Sequence, residues 1–441
     1  MKEQDSIATG KIERSAKFVK TGIKVGGNYL KHYTKKLFDA DLTKDQLNQD
    51  NAEDIYESLS ELKGSALKVA QMLSMDKSIM PKAYVDQFSK SQYNAPPLSG
   101  PLIVRTFSKY FGKTPDKIFD TFDIKSSNAA SIGQVHRATK DGKNLAIKIQ
   151  YPGVAESISS DLKLVKPFAF RLLGMSEKEL DIYMKEVEQK MVEETDYILE
   201  VQQSKKFAEA CQSLKNVVFP AYYPELSSPR IITMDWVEGL HLKEWLATNP
   251  TQEQRNSIGQ ALWDFYNFQM HTLKEVHADP HPGNFIITPD CKLGVLDFGC
   301  VKALPMDFYT PYFSLIIGDT LNDKAKTIQC FRELEMILDK DDAQAIDFYY
   351  NWYQKMIRLF AQPYISSSFD FSNKQFMQEL YTFGEQLTKM PEFKQARGVK
   401  HFIYVNRTNF GLYAILSELD AQIQTSNVPI NVPMCQYNLN N

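Results

Sequence analysis

Apolar residues recur at intervals of three and four over residues 52–75, a spacing that places them on one face of an α-helix. The apolar stripe consists of Ile55, Leu59, Leu62, Ala66, Val69 and Leu73. Lys68 and Gln71 fall on the opposite side of this predicted helix. A second helix is predicted around residues 102–111, so this part of the chain is expected to be helical.

The pattern changes from a helical period to alternation within residues 131–149. Asp141 and Gly142 supply a turn in the middle of this segment. Extended segments on both sides of such a turn predict a β-hairpin. The second strand alternates Leu145, Ile147 and Ile149 with Ala146 and Lys148.

The remaining pattern is mostly helical, at residues 155–212, 251–276 and 303–425, with short apolar runs that predict strands at 227–239 and 284–299. This order predicts an α+β, bilobal protein-kinase-like fold with an N-terminal helical extension and a mostly helical C-lobe. The predicted segments are a basic N-terminal segment (1–50), a helical extension (51–115), an N-lobe with inserted helices (116–238), a C-lobe (239–425) and a tail (426–441).

The clearest chemical signal is HADPHPGNFIITPDCKLGVLDFG, residues 277–299. Asp279 and Asn284 have the spacing D-x-x-x-x-N, and Asp297 begins the tripeptide D-F-G. In kinase-type phosphoryl transfer, an aspartate meets the accepting hydroxyl or water, while an asparagine and the D-F-G aspartate hold magnesium ions. The reaction depends on positioning and on neutralising phosphate charge. The spacing therefore predicts a phosphoryl-transfer site.

Lys148, on the second hairpin strand, is the candidate for contact with the α- and β-phosphates. Its ammonium group needs a carboxylate partner to hold it in place. The candidates lie in the segment EETDYILE, where Asp196 and Glu200 would share a helical face and Glu194 would point elsewhere. The residues alone leave the choice open among Glu193, Glu194, Asp196 and Glu200.

Composition narrows the class of partner and the compartment. A net charge of −3 and a pI near 6.2 do not indicate a nucleic acid partner. Five scattered cysteines without a C-x-x-C pair favour a reducing compartment over a disulfide framework or a zinc site. We assign structural roles to His277 and His281. No apolar run reaches about 18 residues and no secretory signal is visible, so a cytoplasmic location is expected.

The first 40 residues are locally basic, with nine Lys or Arg against four Asp or Glu. Val19, Ile23, Leu30 and Leu37 follow helical spacing between the lysines. Such a segment can bind peripherally to an anionic membrane surface, here the inner face of the membrane. The residues favour a helix that docks on its own domain, and they leave the membrane interpretation open.

Four separate motifs resemble those of the UbiB/AarF/ADCK family of atypical protein-kinase-like proteins. The resemblance extends from about residue 50 to about residue 425, and the number of motifs makes it specific. The motifs are LKGSALKVAQMLS (62–74), similar to the family's K-x-G-Q segment, NAASIGQVHRA (128–138), similar to its alanine-rich loop, EETDYILE (193–200), and DPHPGNF with LDFG (279–299).

The resemblance implies a nucleotide-binding role at each matching position. Lys148 would bind the phosphates, with Glu200 as its ion-pair partner. Glu194 would pair with Lys68 of the family-specific helix, and Gln71 would lie nearby. That helix would cover the nucleotide and obstruct the groove for a protein substrate. The alanine-rich loop would be an altered phosphate loop formed by Ala129, Ala130, Ser131 and Gln134.

The resemblance also implies a reaction and its surroundings. Asp279 would be the catalytic-loop acid, and Asn284 and Asp297 would bind Mg²⁺, or Mn²⁺, with ATP or ADP as the nucleotide. The family is associated with ATP hydrolysis and with isoprenoid quinone biosynthesis, through quinone-pathway enzymes or membrane lipids. Two positions depart from the family pattern, because Ala70 replaces the K-x-G-Q glycine and Asn128 begins the alanine-rich loop.

Two other functions stay open. Small-molecule kinases of the aminoglycoside or choline type share H-x-D-x-x-x-x-N followed by an acid, although the Lys68–Gln71 helix and the S-I-G-Q loop argue against that class. A nucleotide-sensing, lipid-binding scaffold with little turnover would also keep these residues. Rapid phosphorylation of a soluble amine or sugar would favour the first, and quinone production supported by a nucleotide-binding variant without hydrolysis would favour the second.

Overall fold

Contacts divide the chain in the computed structural model into two units. Unit 1 contains the described residues up to Gln202 together with Ala221–Trp236, and unit 2 contains Gln203–Pro220 and the described residues from Val237 onward. The segment boundaries expected from the sequence stay a prediction. The structure describes residues 49, 51–53, 55, 98–129, 132–173, 177–316, 319–393, 397–399, 401–426 and 428.

Unit 1 contains an antiparallel sheet with β4 (Lys143–Gln150) at its centre. Strand β4 pairs with β3 (Gly133–Lys140) on one side and with β6 (Ile231–Asp235) on the other. Asp141 and Gly142, with φ angles of 50° and 76°, form the turn between β3 and β4. The predicted hairpin is therefore confirmed. The outer strands that pair with β3 are β1 (Thr121–Phe122) and β2 (Asn128–Ala129).

Helices supply the rest of the core of unit 1. Ile103 and Phe107, one turn apart on the first helix, are fully buried in the same apolar cluster as Ile147 and Ile149 of β4. Both faces of β4 are covered over most of its length, which suits a strand at the centre of a sheet. The helices are α1 (Gly100–Phe111), α2 (Val154–Leu173), α3 (Glu177–Glu194) and α4 (Tyr197–Ala210), which continues into unit 2.

Unit 2 is mainly helical and has its own apolar core. Its sheets are β5 (Val217–Val218) with β9 (Leu293–Val295) and β8 (Phe285–Ile287), β7 (Glu275–His277) with β10 (Val301–Ala303), and β11 (Ser368–Asp370) with β12 (Gln422–Gln424). Its helices are α5 (Leu242–Ala247), α6 (Gln252–Phe268), α7 (Met306–Ile316), α8 (Lys324–Glu333), α9 (Ala343–Phe360), α10 (Gln362–Ile365), α11 (Lys374–Lys389) and α12 (His401–Glu418). Within the described residues, no helix combines the length and the apolar character needed to cross a bilayer.

Two parts of unit 2 differ from the sequence expectation. The helix predicted over 251–276 ends early, because a π-helical turn at Gln269–Leu273 leads into β7. Residues 303–425, predicted to be helical throughout, also contain β11 and β12. Each of these strands has one inward apolar residue, Phe369 or Ile423, between two polar ones. Three residues are too few to give a periodic signal.

We predict that Gly133→Ala destabilises unit 1. A Cβ atom at Gly133 would lie 2.5 Å from the carbonyl oxygen of Ile149 and 3.0 Å from the hydroxyl oxygen of Tyr197. Because backbone must move to admit the methyl group, the free energy of unfolding should fall by about 1–3 kcal/mol, measured by urea denaturation.

Gly142→Asn is the control for this substitution. A Cβ atom at Gly142 would have no neighbour within 4 Å, and asparagine adopts a left-handed φ more readily than most residues, so the free energy of unfolding should fall by no more than about 1 kcal/mol. Equal unfolding midpoints for the two variants would contradict a packing role for Gly133.

Candidate functional site

In unit 1, the side chains of Lys148 and Glu200 form a buried ion pair. Nζ of Lys148 donates a hydrogen bond to Oε1 of Glu200 at 2.7 Å, and the two side chains are 11% and 3% exposed. The same Nζ lies 5.1 Å from the centre of the Tyr197 ring, within the range of a cation–π contact. A buried charge is costly unless it is paired. The carboxylate therefore fixes the ammonium group beside the central strand.

The start of α4 is held by the sheet, and this places Glu200 near Lys148. The carbonyl oxygen of Thr195 accepts hydrogen bonds from Nε2 of Gln150 at 3.1 Å and from Nη1 of Arg230 at 2.8 Å. Gln150 ends β4, and Arg230 directly precedes β6. Glu200 lies on the first turn of α4, so these two hydrogen bonds set its distance from the strand.

The other acids of EETDYILE occupy different positions, and the segment is not one continuous helix. Helix α3 ends at Glu194, and α4 begins after Asp196. Oδ1 of Asp196 accepts the N–H of Leu199 at 3.1 Å, as an N-cap does. Glu193 forms an ion pair with Lys190, whose side chain is buried. Of the four candidate acids, Glu200 forms the ion pair with Lys148 described above.

Among the residues predicted to contact the nucleotide, Glu194 and Ala129 are described, and several others fall outside the described residues. Glu194 is half-buried at the end of α3. The backbone of Ala129 pairs with that of Gln134 where β2 meets β3. The predicted residues outside the described part are Lys68, Gln71, Ala130 and Ser131, together with Ala70. Their roles stay predictions.

Gln134 occupies a position that differs from the expected phosphate contact. Its side chain is fully buried, Oε1 accepts the N–H of Leu98 at 2.8 Å, and Nε2 donates to Nε2 of His136 at 2.8 Å. Burial lowers the pKa of His136, so its neutral ring accepts from Gln134 and donates through Nδ1 to the carbonyl oxygen of Asp123 at 2.8 Å. The oxygen and the nitrogen of the Gln134 side-chain amide both form hydrogen bonds within unit 1. We therefore leave this residue out of the proposed site.

In unit 2, a backbone hydrogen bond brings Asn284 alongside the D-F-G tripeptide. The N–H of Leu296 donates to the carbonyl oxygen of Asn284 at 3.0 Å. Strands β8 and β9 pair immediately beside this bond, with Phe285 opposite Val295. Asn284 precedes one strand and Asp297 follows the other, so both residues lie at the same end of the pair.

Hydrogen bonds to backbone groups also orient the side chains of Asn284 and Asp297. Nδ2 of Asn284 donates to the carbonyl oxygen of Asp279 at 2.9 Å, which leaves Oδ1 of this amide as the atom that can bind a cation. Oδ1 of Asp297 accepts the N–H of Gly299 at 2.7 Å. Phe298 is fully buried among aromatic rings of unit 2 and anchors the tripeptide.

Asn284 and Asp297 fit a magnesium ion by the chemistry of their donor atoms. Carboxylate and amide oxygens are the hard donors that Mg²⁺ prefers. One or two protein carboxylates are common in phosphate sites, because phosphate oxygens and water complete the octahedral shell. Their assignment as metal ligands stays a prediction, which these contacts support.

Asp279 is held by a residue that the sequence pattern does not indicate. Its Oδ1 accepts a hydrogen bond from Nη2 of Arg407 on α12 at 2.9 Å. The two residues are 128 positions apart, so no local spacing could reveal the contact. In the same loop, Nδ1 of His281 accepts the N–H of Gly283 at 3.0 Å, while His277 is fully buried.

Over half of the chain matches a known domain. Residues 90–331 match the model of the ABC1 atypical kinase-like domain. The matched range includes Lys148, Glu200 and the candidate acids of unit 2, and it ends before α12.

Similar curated proteins are kinases by name. The chain is 28% identical over 364 residues to the probable serine/threonine-protein kinase abkA of Dictyostelium discoideum, covering 77% of this chain and 64% of that protein. It is 32% identical over 296 residues to the mitochondrial atypical kinase coq-8 of Caenorhabditis elegans, covering 65% and 39%. It is 31% identical over 285 residues to the mitochondrial atypical kinase COQ8 of Saccharomyces cerevisiae, covering 63% and 56%. The chain spans less than two thirds of the length of these relatives.

A solved structure has the same fold. The structure of Rv3197 from Mycobacterium tuberculosis in complex with erythromycin matches with a TM-score of 0.59 and 25% identity. The match covers 88% of this chain and 97% of that one. Together with the observed helices and small sheets, it confirms the predicted α+β, kinase-like fold.

We predict that Glu200→Gln strongly destabilises unit 1. The substitution keeps the size of the side chain but removes the carboxylate charge 2.7 Å from the Lys148 ammonium group. Because Lys148 then keeps a buried charge without this partner, the free energy of unfolding should fall by about 3 kcal/mol, measured by denaturant unfolding.

Glu275→Gln is the matched control. It removes the same charge from the Lys206–Glu275 pair, in which Lys206 is 62% exposed, and should cost no more than about 1 kcal/mol. Equal decreases in the free energy of unfolding of the two variants would show that the burial of the Lys148–Glu200 pair adds nothing to stability.

Proposed function

Because the chain belongs to the ABC1 atypical kinase-like family, we propose that it binds ATP with magnesium and cleaves the γ-phosphate, as an ATPase or as a kinase of the UbiB type. The observation that carries the proposal is the placement of Asn284 and Asp297 at one end of the β8–β9 pair. The hydrogen bond from Asn284 to the Asp279 carbonyl keeps the amide oxygen available for a metal ion.

Each residue contributes a separate part of the proposed chemistry. Lys148, held by Glu200, binds oxygens of the α- and β-phosphates. Asp279 orients the accepting hydroxyl group or water molecule. When bound, magnesium neutralises charge on the transferred phosphoryl group. Because such catalysis consists mainly of positioning and charge neutralisation, the residues need fixed positions more than unusual reactivity.

The proposal extends to a role in isoprenoid quinone biosynthesis, of ubiquinone or menaquinone, or in membrane-lipid homeostasis. The resemblance of four motifs to the UbiB/AarF/ADCK family supports this extension. Quinone-pathway enzymes or lipids as partners, the cytoplasmic location and peripheral membrane contact stay predictions from the sequence. Two of the similar proteins carry the word mitochondrial in their names.

We predict that Asp297→Asn weakens magnesium-dependent ATP binding by about tenfold or more and lowers turnover by about a hundredfold, because it removes a charged metal ligand. Nucleotide affinity is measured by calorimetry with and without Mg²⁺, and turnover by phosphate release. Asp290→Asn is the matched control, since Asp290 lies on an exposed turn in the same unit, paired with Lys292. That variant should match the wild type in both measurements.

The same measurements separate the alternatives. Unchanged binding and hydrolysis in Asp297→Asn would contradict the proposed metal site. Rapid phosphorylation of a soluble amine or sugar would favour a small-molecule kinase. Magnesium-dependent binding without hydrolysis by the wild type would favour a nucleotide-sensing scaffold.

We predict that cells lacking the protein accumulate a quinone precursor and contain less quinone, measured by mass spectrometry of lipid extracts. Wild-type protein and Asp290→Asn should restore the quinone, whereas Asp297→Asn should not, because it lacks a metal ligand needed for turnover. Full rescue by a variant that binds ATP but does not hydrolyse it would indicate a binding role in place of catalysis.

A further inference from the structure

One face of α12 packs against the start of the Asp279 loop (residues 278–284). Tyr404, Arg407 and Gly411 are three and four positions apart and therefore share that face. Tyr404 packs in a buried cluster with Ala278 and Cys300. The next two positions on the face, Arg407 and Gly411, meet Asp279 and Pro280.

The Arg407–Asp279 contact is an ion pair with little exposure to solvent. Nη2 of Arg407 lies 2.9 Å from Oδ1 of Asp279, and the side chains are 18% and 14% exposed. Removing two charges from water is costly, so the pair is maintained only with good geometry. The guanidinium group thereby fixes one oxygen of the carboxylate and limits rotation of that group.

Gly411 allows α12 to approach the loop closely. A Cβ atom there would lie 2.9 Å from Cβ of Pro280 and 3.1 Å from its carbonyl oxygen, and closer still to its Cγ. Glycine within a helix costs about 1 kcal/mol relative to alanine. This cost fits a position where backbone must come close to the loop.

We propose that α12 seats the Asp279 loop, and that Arg407 is a positioning residue that acts through Asp279 in phosphoryl transfer. This inference rests on the proposed function, in which Asp279 orients the accepting group. The matched family domain ends at residue 331 and α12 begins at His401, so the helix that holds the loop lies in a part of the chain that this match does not include. Displacement of a reacting group by about 1 Å can cost about a hundredfold in rate.

The first test uses Arg407→Ala and Arg407→Lys in the full chain. Arg407→Ala should lower kcat for ATP hydrolysis by about tenfold to a hundredfold and nucleotide affinity by much less, because Asp279 is displaced while Lys148 and Asp297 lie outside the loop. Arg407→Lys should give an intermediate kcat, since lysine keeps the charge but not the planar group. Arg255→Ala is the control, because it breaks a similar pair with Asp420 that involves no residue of the loop.

A second readout needs neither nucleotide nor turnover. Hydrogen exchange of the backbone amides of His281, Gly283 and Asn284, which donate hydrogen bonds inside the loop, should be about tenfold faster in Arg407→Ala. Exchange at these amides should be unchanged in Arg255→Ala. A purely structural role for Arg407 would instead lower global stability and leave kcat per folded molecule unchanged.

The second pair of variants is Gly411→Ala with Gly384→Ala as its control. Both positions are inside helices of unit 2, but a Cβ atom at Gly384 has no neighbour within 4 Å. Gly411→Ala should lower kcat and speed loop exchange, although alanine favours the helix, whereas Gly384→Ala should change neither.

The outcomes separate this inference from the proposed function. Suppose that the wild type turns over ATP, and that Arg407→Ala and Gly411→Ala change neither kcat nor the exchange rates of the loop amides. This result would contradict the proposed role of α12 and would leave the proposed function unaffected. A wild-type protein that binds no magnesium–ATP, or that neither hydrolyses ATP nor transfers its γ-phosphate, would overturn the function and the catalytic part of the inference. The exchange rates would then decide whether α12 seats the loop.

Discussion

The ion pair of Lys148 and Glu200 determines how the helices and the sheet of unit 1 must fit together. Two charges can be buried only where each lies against the other, so the central strand and α4 must meet at a fixed distance. The hydrogen bonds to the carbonyl oxygen of Thr195 serve this requirement, because they attach the beginning of α4 to the ends of two strands. The same pair gives the proposed phosphate contact a fixed ammonium group.

Unit 2 fixes its polar side chains in a different way, through backbone hydrogen bonds and buried aromatic rings. The carbonyl of Asp279 accepts from the side chain of Asn284, and the N–H of Gly299 donates to Asp297. Phe298 is fully buried in the core of unit 2. Such positions require little movement when charge develops on a substrate, which is the property that electrostatic catalysis uses.

The sequence predicts those features that depend on short spacing, and it leaves open those that depend on distant contacts. The hairpin at Asp141 and Gly142 and the D-x-x-x-x-N spacing are local, and the structure has the hairpin where the pattern predicts it. The choice of Glu200 among four acids depends on a break in the helix at Thr195. Hydrogen bonds from Arg230 and Gln150, which are 35 and 45 positions away from Thr195 in the sequence, fix this break. The burial of Gln134 and the contact of Arg407 with Asp279 likewise come from packing, which periodicity does not encode.

A crystal structure of the protein with Mg²⁺ and a non-hydrolysable ATP analogue gives the most direct test of the proposed metal site. We expect a metal ion roughly 2.0–2.1 Å from Oδ1 of Asn284 and from a carboxylate oxygen of Asp297, with phosphate oxygens completing its shell. A metal–nucleotide complex bound to other residues, with Asn284 and Asp297 making no contact to the metal, would contradict the proposal.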